Sequence, residues 1–166
     1  MANRVVYHSI FSEITPALVH PLVDSLRELT SEDGAEILIC SEGGDTDAGF
    51  ALIDAIRTCP AHVVTIGTGG VGSVATDILV SGDWRIAMPS LMLMTHNAYL
   101  PGKPVKGRKH RLLQLEDRRG IHLYMDRTKF KTEEQLRSVL FNGKDVYLDA
   151  NQALDLTLVD EIRRLK

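Results

Sequence analysis

The stretch His62-Val63-Val64-Thr65-Ile66-Gly67-Thr68-Gly69-Gly70-Val71-Gly72-Ser73 decides how the chain reads. His62 to Ile66 is apolar and rich in β-branched residues, the composition of a buried strand. Gly67 to Gly72 reads as a glycine-rich turn. Ser73 then opens a helix that runs to about Ser81. Strand, turn and helix in that order make the first half of a βαβ unit. The same grammar recurs upstream. Ala35 to Cys40 (AEILIC) is a strand, and Ser41-Glu42-Gly43-Gly44 is a turn. A helix from about Thr46 carries Leu52, Ile53 and Ile56 on one face and stops before Pro60.

Working outward, Val5-Val6-Tyr7 is a short strand. Thr15-Pro16 is an N-cap followed by proline at the first helical position. Leu18, Leu22, Leu26 and Leu29 then recur at helical spacing toward Gly34. Beyond Ser73, Trp84 to Met88 and Leu91 to Thr95 are apolar strand segments. Ala98 to Gly107, with two prolines and two glycines, reads as extended. His110 to about Thr128 is a long charged helix. Thr132-Glu133-Glu134-Gln135 is a capping box for another. Val146-Tyr147-Leu148 is a strand, Asp149 caps a last short helix, and Leu158-Val159 closes the core. Strands alternate with helices, so the class is α/β with a mainly parallel sheet. The length suits one domain over 1–166, with no linker or repeat.

Composition limits the function classes. The chain has 166 residues, 44% hydrophobic and 25% charged, with net charge −3, which is ordinary for a globular protein and gives no nucleic-acid footprint. No apolar run approaches the roughly 18 residues of a membrane span. Met1 to Val5 carries no signal region, which makes a cytoplasmic location the expectation. Cys40 and Cys59 form no metal or redox motif and are expected to be small buried fillers.

The two glycine-rich junctions admit three readings. Gly67-x-Gly69-x-x-Gly72 matches a dinucleotide fingerprint by spacing. However, a βα unit precedes it, and no acid stands where a ribose would need one: Asp83 is too early. No Lys-Ser or Lys-Thr follows, so it is not a P-loop. The second reading is two tight turns with no chemistry. The third is acyl transfer. A serine at a helix N-terminus has backbone N–H groups and the macrodipole behind it. The N–H of Val74 can face the same oxygen, and Gly44 on the neighbouring turn can supply a second donor. His96 follows the apolar run Leu91 to Thr95, at the sheet edge where the glycine turns lie, and can serve as base. The remaining histidines (His8, His20, His62, His110 and His122) are expected at the surface. Asp145, before the Val146 strand, is a candidate acceptor for the histidine among 22 acids.

At these residues the chain resembles the Clp protease proteolytic subunit. Ile37 to Gly44, Gly49 and Ile53 to Ile56 resemble that family's strand, Ser-Pro-Gly-Gly turn and helix. Thr65-Ile66-x-x-Gly69-x-x-x-Ser73 is similar to the segment that ends in its nucleophile. Met94-Thr95-His96 is similar to its Met-Ile-His. Asp145-x-Tyr147-Leu148-x-Ala150 through Leu158-Val159-Asp160 resembles its closing segment. The resemblance runs from about Arg4 to Ile162.

It implies the ClpP/crotonase fold, a spiral of ββα units with an extended handle built from a strand and the long helix. It implies a triad of Ser73, His96 and Asp145, oxyanion donors at the N–H groups of Gly44 and Val74, and no metal or cofactor. It also implies homo-oligomeric rings, stacked in the family, that hydrolyse peptides or unfolded chains, with no nucleic acid or membrane involved. An ATP-driven AAA+ unfoldase is the family's partner, but the loop that engages it has no counterpart before the first strand. A catalytically silent ring subunit and a crotonase-type acyl-CoA enzyme are the alternatives. The second would need a carboxylate beside the glycines, where only Asp77 is available. The chain departs from the family at Glu42, in place of proline, at Gly72-Ser73-Val74-Ala75 and at Asn97-Ala98. Asp77 falls where the family is apolar, and is expected to be solvated or to touch a partner subunit.

Overall fold

The computed structural model describes residues 4–98 and 108–164. The strand expected at His62 to Ile66 continues through the glycines, so β3 spans His62–Gly72. This corrects the turn expected at Gly67 to Gly72. The glycines are needed for close packing inside a strand. A Cβ on Gly67 would come within 2.8 Å of the Leu79 side chain, and one on Gly72 within 3.2 Å of the Glu42 carbonyl oxygen. Gly69 has φ +57, a left-handed conformation that costs glycine little. The facing strand shifts register between Ile39 and Ser41. β3 thereby changes neighbours along its length. Val64 to Gly67 pairs with β4 (Trp84–Ala87), and Gly70 to Gly72 pairs with β5 (Met92–Thr95).

The sheet runs β1 (Val5–Ile10), β2 (Gly34–Ser41), β3, β4 and β7 (Glu161–Ile162). β5 leaves this path from β3 and pairs with β6 (Val146–Asp149). The β5–β6 pair is antiparallel and every other described pair is parallel, in agreement with the α/β expectation. At two residues, β7 is too short to carry any periodicity in the sequence.

The helices are α1 (Pro16–Arg27), α2 (Thr46–Thr58), α3 (Val74–Ser81), α4 (Arg108–Arg127), α5 (Glu133–Leu140) and α6 (Ala150–Asp155). Their starts follow the expected caps. Thr15 Oγ1 accepts the Leu18 N–H at 3.3 Å, Thr132 Oγ1 accepts that of Gln135 at 3.2 Å, and Asp149 with Gln152 forms a capping box. Ile10, Ile37, Ile39, Leu52, Ile56, Leu79 and Leu93 are buried in the core between strands and helices. α2 and α3 approach closely because Gly49 leaves room for the Val74 side chain. The expected handle strand (Ala98 to Gly107) lies outside the described residues, apart from Ala98.

A buried arginine ties the C-terminal segment to the sheet. Arg85 of β4 donates from Nε and Nη2 to Asp160 at 2.8 and 2.6 Å. Its Nη1 donates to the carbonyls of Arg127 (2.7 Å) and Thr157 (3.0 Å). Burial acts to raise the Asp160 pKa, but the Arg85 hydrogen bonds outweigh it and the net shift is downward. Two smaller expectations need correction. Cys40 and Cys59 are free but only half-buried. His8 is half-buried, with Nε2 3.0 Å from Ser25 Oγ, and burial lowers its pKa. Strand alternation explains it, because His8 shares a face of β1 with buried Ile10. No described helix is long and apolar enough to cross a membrane.

Candidate active site

β3 ends at Gly72 and α3 begins at Val74, so the whole strand-to-helix reversal falls on Ser73. Its backbone has φ 54 and ψ −135, a conformation that L side chains rarely adopt. Such strain persists only where the surroundings hold it in place. Here Ser73 N–H donates to Met94 O at 2.9 Å, and Ser73 O accepts from Thr76 N at 2.8 Å. The buried Thr76 hydroxyl sits 3.0 Å from the carbonyls of both Val71 and Met94. The elbow is therefore stitched to β3 and β5 together. Ser73 occupies the N-cap position, yet its side chain makes no cap hydrogen bond. Its Oγ instead lies 2.9 Å from His96 Nε2.

His96 stands one residue beyond β5. Its Nδ1 is 2.6 Å from the Asn97 carbonyl oxygen. A carbonyl only accepts, so the proton belongs on Nδ1. Nε2 is then left to accept the Ser73 O–H, as a general base must. Asn97 is itself anchored. Its Oδ1 accepts the Gly143 N–H at 2.9 Å, and its Nδ2 points to Asp117 Oδ2 at 3.4 Å.

Asp145 lies opposite. The antiparallel ladder pairs Met94 with Tyr147 and Thr95 with Val146. One step further along the same register sets Asp145 across from His96. Asp145 is exposed. The structure brings Ser73 and His96 together at bonding distance, and the β5–β6 register sets the backbone of Asp145 alongside His96.

The upstream glycine turn packs onto the elbow. Gly43 has φ +106, and a Cβ there would lie 2.8 Å from Ser73 Cβ and 2.9 Å from Gly72 O. Ile14 N–H donates to Gly43 O and Asp45 N–H to Ile14 O, both at 2.8 Å. In such a parallel bridge the N–H of Gly44, the residue between, points away from Ile14. Val74 is the first residue of α3, so its N–H has no acceptor within the helix. Gly44, Ser73, Val74 and His96 all line one cleft of about 660 Å³. Glu42, which stands where the family has proline, is exposed on its rim.

Asp77 is half-buried rather than fully solvated. It lines the same cleft, and its Oδ1 accepts the hydroxyl of fully buried Tyr124 at 2.9 Å. Burial pushes its pKa up to about 7, against the opposing effect of that hydrogen bond. Sequence reasoning noticed Asp77 as a departure from the family and as the one carboxylate near the glycines. Its partner lies 47 residues away on α4, a separation that no local pattern encodes.

A mainly parallel α/β sheet here carries a strained serine at a strand–helix elbow, 2.9 Å from a histidine at the adjacent strand end, an arrangement able to activate a hydroxyl. The comparisons give the family. The family model described as Clp protease matches residues 3–166. The chain is 30% identical to proteolytic subunit 2 of the ATP-dependent Clp protease of Treponema denticola, over 93% of this chain and 78% of the relative. It is 27% identical to subunit 1 from Shouchella clausii, over 98% and 86%. Among solved structures, a ClpP1 mutant from Listeria monocytogenes superposes with TM-score 0.81 at 26% identity, covering 98% of this chain and 92% of that one. The ClpP catalytic domain of Plasmodium falciparum shares the fold, with TM-score 0.80 at 23% identity over 96% and 86%. The chain belongs to the Clp protease family and has the ClpP fold.

Proposed function

We propose that the chain is a serine endopeptidase that hydrolyses peptides or unfolded polypeptides through an acyl-enzyme. The observation that carries this reading is the 2.9 Å approach of Ser73 Oγ to His96 Nε2 at a strained elbow. In this reading Ser73 Oγ attacks the scissile carbonyl carbon while His96 Nε2 takes its proton. The carbonyl oxygen becomes an oxyanion that accepts from the N–H groups of Gly44 and Val74. The C–N bond breaks as His96 returns the proton to the amine, which leaves. Water, deprotonated by His96, then hydrolyses the ester and restores the serine. Asp145 takes the orienting role once its carboxylate turns toward Nδ1, where the Asn97 carbonyl now sits. Residues 1–166 act as one peptidase domain, and copies of the chain assemble into a ring. The relatives are named as subunits of an ATP-dependent protease, which supports an ATP-driven partner class for this chain.

A fluorophosphonate reagent tests the reading. Intact mass is expected to show one adduct on the wild-type chain and none on Ser73→Ala. Absence of an adduct on the wild type would leave a silent ring subunit as the better reading. Native mass of the same sample reports the assembly.

A further inference from the structure

We propose that Asp77 makes the cleft beside Ser73 a receptor for a cationic side chain, lysine or arginine, on the acyl side of the scissile bond. The inference rests on the serine-peptidase reading above and adds a substrate class to it. Its first support is placement. Asp77 N–H approaches Ser73 O at 3.4 Å, one helical turn below the nucleophile. That backbone contact keeps the two residues one turn of chain apart, within the reach of an extended lysine or arginine side chain. Both residues line one cleft, so a side chain leaving the carbonyl at Ser73 Oγ can run along its wall to the carboxyl group.

The second support is chemical. A carboxylate offers about four acceptor positions, and Tyr124 Oη occupies one. Were the group present only to anchor Tyr124, a neutral amide would accept the same bond without the cost of desolvating a charge. An arriving cation would compensate that charge.

The third support is the field. Glu13, Glu42, Asp77, Glu116 and Asp117 line the cleft, and no lysine or arginine does so among the described residues. Arg119 is turned to Asp47, 3.0 Å from both of its terminal nitrogens, and stacks over Phe50 at 4.6 Å. Glu116 is pushed upward, first by burial and then by Asp47, Asp117 and Asp45, with Arg119 opposing. A lining of one sign in a recessed cleft concentrates the opposite charge there.

The test uses peptidyl phosphonates that differ only in the side chain next to the phosphorus: lysine, arginine, norleucine and glutamate. Norleucine keeps the lysine stem and removes the charge. Labelling rates at Ser73 are followed by intact mass. Charge-assisted hydrogen bonds predict that the lysine and arginine probes react on the order of 10- to 100-fold faster than norleucine, with glutamate slowest. Asp77→Leu is expected to close that gap. Should the leucine variant fail to fold, Asp77→Asn, the near-isosteric neutral change, must close it instead. Norleucine matching lysine on a wild-type chain that a plain fluorophosphonate labels would overturn this inference and leave the peptidase standing. A lysine preference that survives both substitutions would also overturn it. If the plain reagent fails to label Ser73, the peptidase reading falls and this inference falls with it.

Discussion

At the residue scale, the site rests on three carbonyl and hydroxyl partners that fix Ser73 and His96. Met94 O holds the Ser73 N–H, Asn97 O faces His96 Nδ1, and Ser73 Oγ faces Nε2. Asn97 O and Asp145 are thus two candidates for one ring nitrogen. A backbone carbonyl can set the tautomer, but it cannot balance the imidazolium that forms when the serine proton moves. Only a carboxylate supplies that charge. Asp145→Asn is therefore expected to lower kcat by about 10²- to 10⁴-fold while labelling still maps to Ser73. Peptide hydrolysis under saturating substrate checks this, and an unchanged kcat would leave the role with Asn97 O. Ser73 and His96 were legible as candidates, the first because it opens a helix after a glycine-rich run and the second because it follows an apolar strand. Asp145 was legible only through its family context, since an acid before a short strand has no local signature. Asp77 was visible as a charge out of place, but its Tyr124 partner was not visible.

At the element scale, the informative error was β3. Gly67 to Gly72 read as a turn because glycine weakens a strand and usually marks its end. In the fold β3 runs through the glycines and changes partners from β4 to β5, which sets its end at Gly72, and Ser73 after it, beside β5 and His96. The sequence held this information only as a wish for small residues, since the neighbours that require them, Leu79 and Glu42, come from other elements. Gly43 tests the idea directly. Its φ of +106 and its contact with Ser73 leave no room for a methyl group. Gly43→Ala is expected to reduce fluorophosphonate labelling by more than tenfold, roughly the effect of displacing one preorganised donor loop. Circular dichroism should remain that of the wild type. Labelling at the wild-type rate would show that the turn can shift without disturbing the nucleophile. The Arg85–Asp160 pair is the corresponding structural test. Asp160→Ala leaves a buried guanidinium half-partnered and is expected to cost about 3–5 kcal/mol in urea unfolding. A loss under 1 kcal/mol would show that the carbonyls of Arg127 and Thr157 suffice.

At the scale of the whole molecule, the candidate site works against stability, and pH separates the two. The Asp160 carboxyl titrates below its ordinary value, so its contribution is present above the unfolded pKa of 3.8 and is lost as the pH falls. His8, lowered by burial, also favours the fold more as pH rises toward its unfolded value of 6.5. Asp77 acts in the opposite sense. Its folded pKa is about 7 against 3.8 unfolded. Below 3.8 both states hold the proton. Between 3.8 and 7 the folded state keeps a proton that the unfolded chain has released, so stability falls as pH rises. One pKa unit corresponds to about 1.4 kcal/mol, which sets the maximum slope per pH unit. Asp77→Asn removes this titration and leaves Asp160 and His8 in place. Urea unfolding of both proteins from pH 4 to 8 should therefore show the variant gaining on the wild type through that window and levelling above pH 7. Parallel curves would mean that Asp77 is already ionised at pH 4, held by more than the Tyr124 hydroxyl. A gain that tracks the predicted window would mean that the ionised carboxyl is costly to the empty fold. That cost is what a cationic substrate side chain would offset on binding, and it explains why a carboxyl placed so badly for stability sits one turn below Ser73.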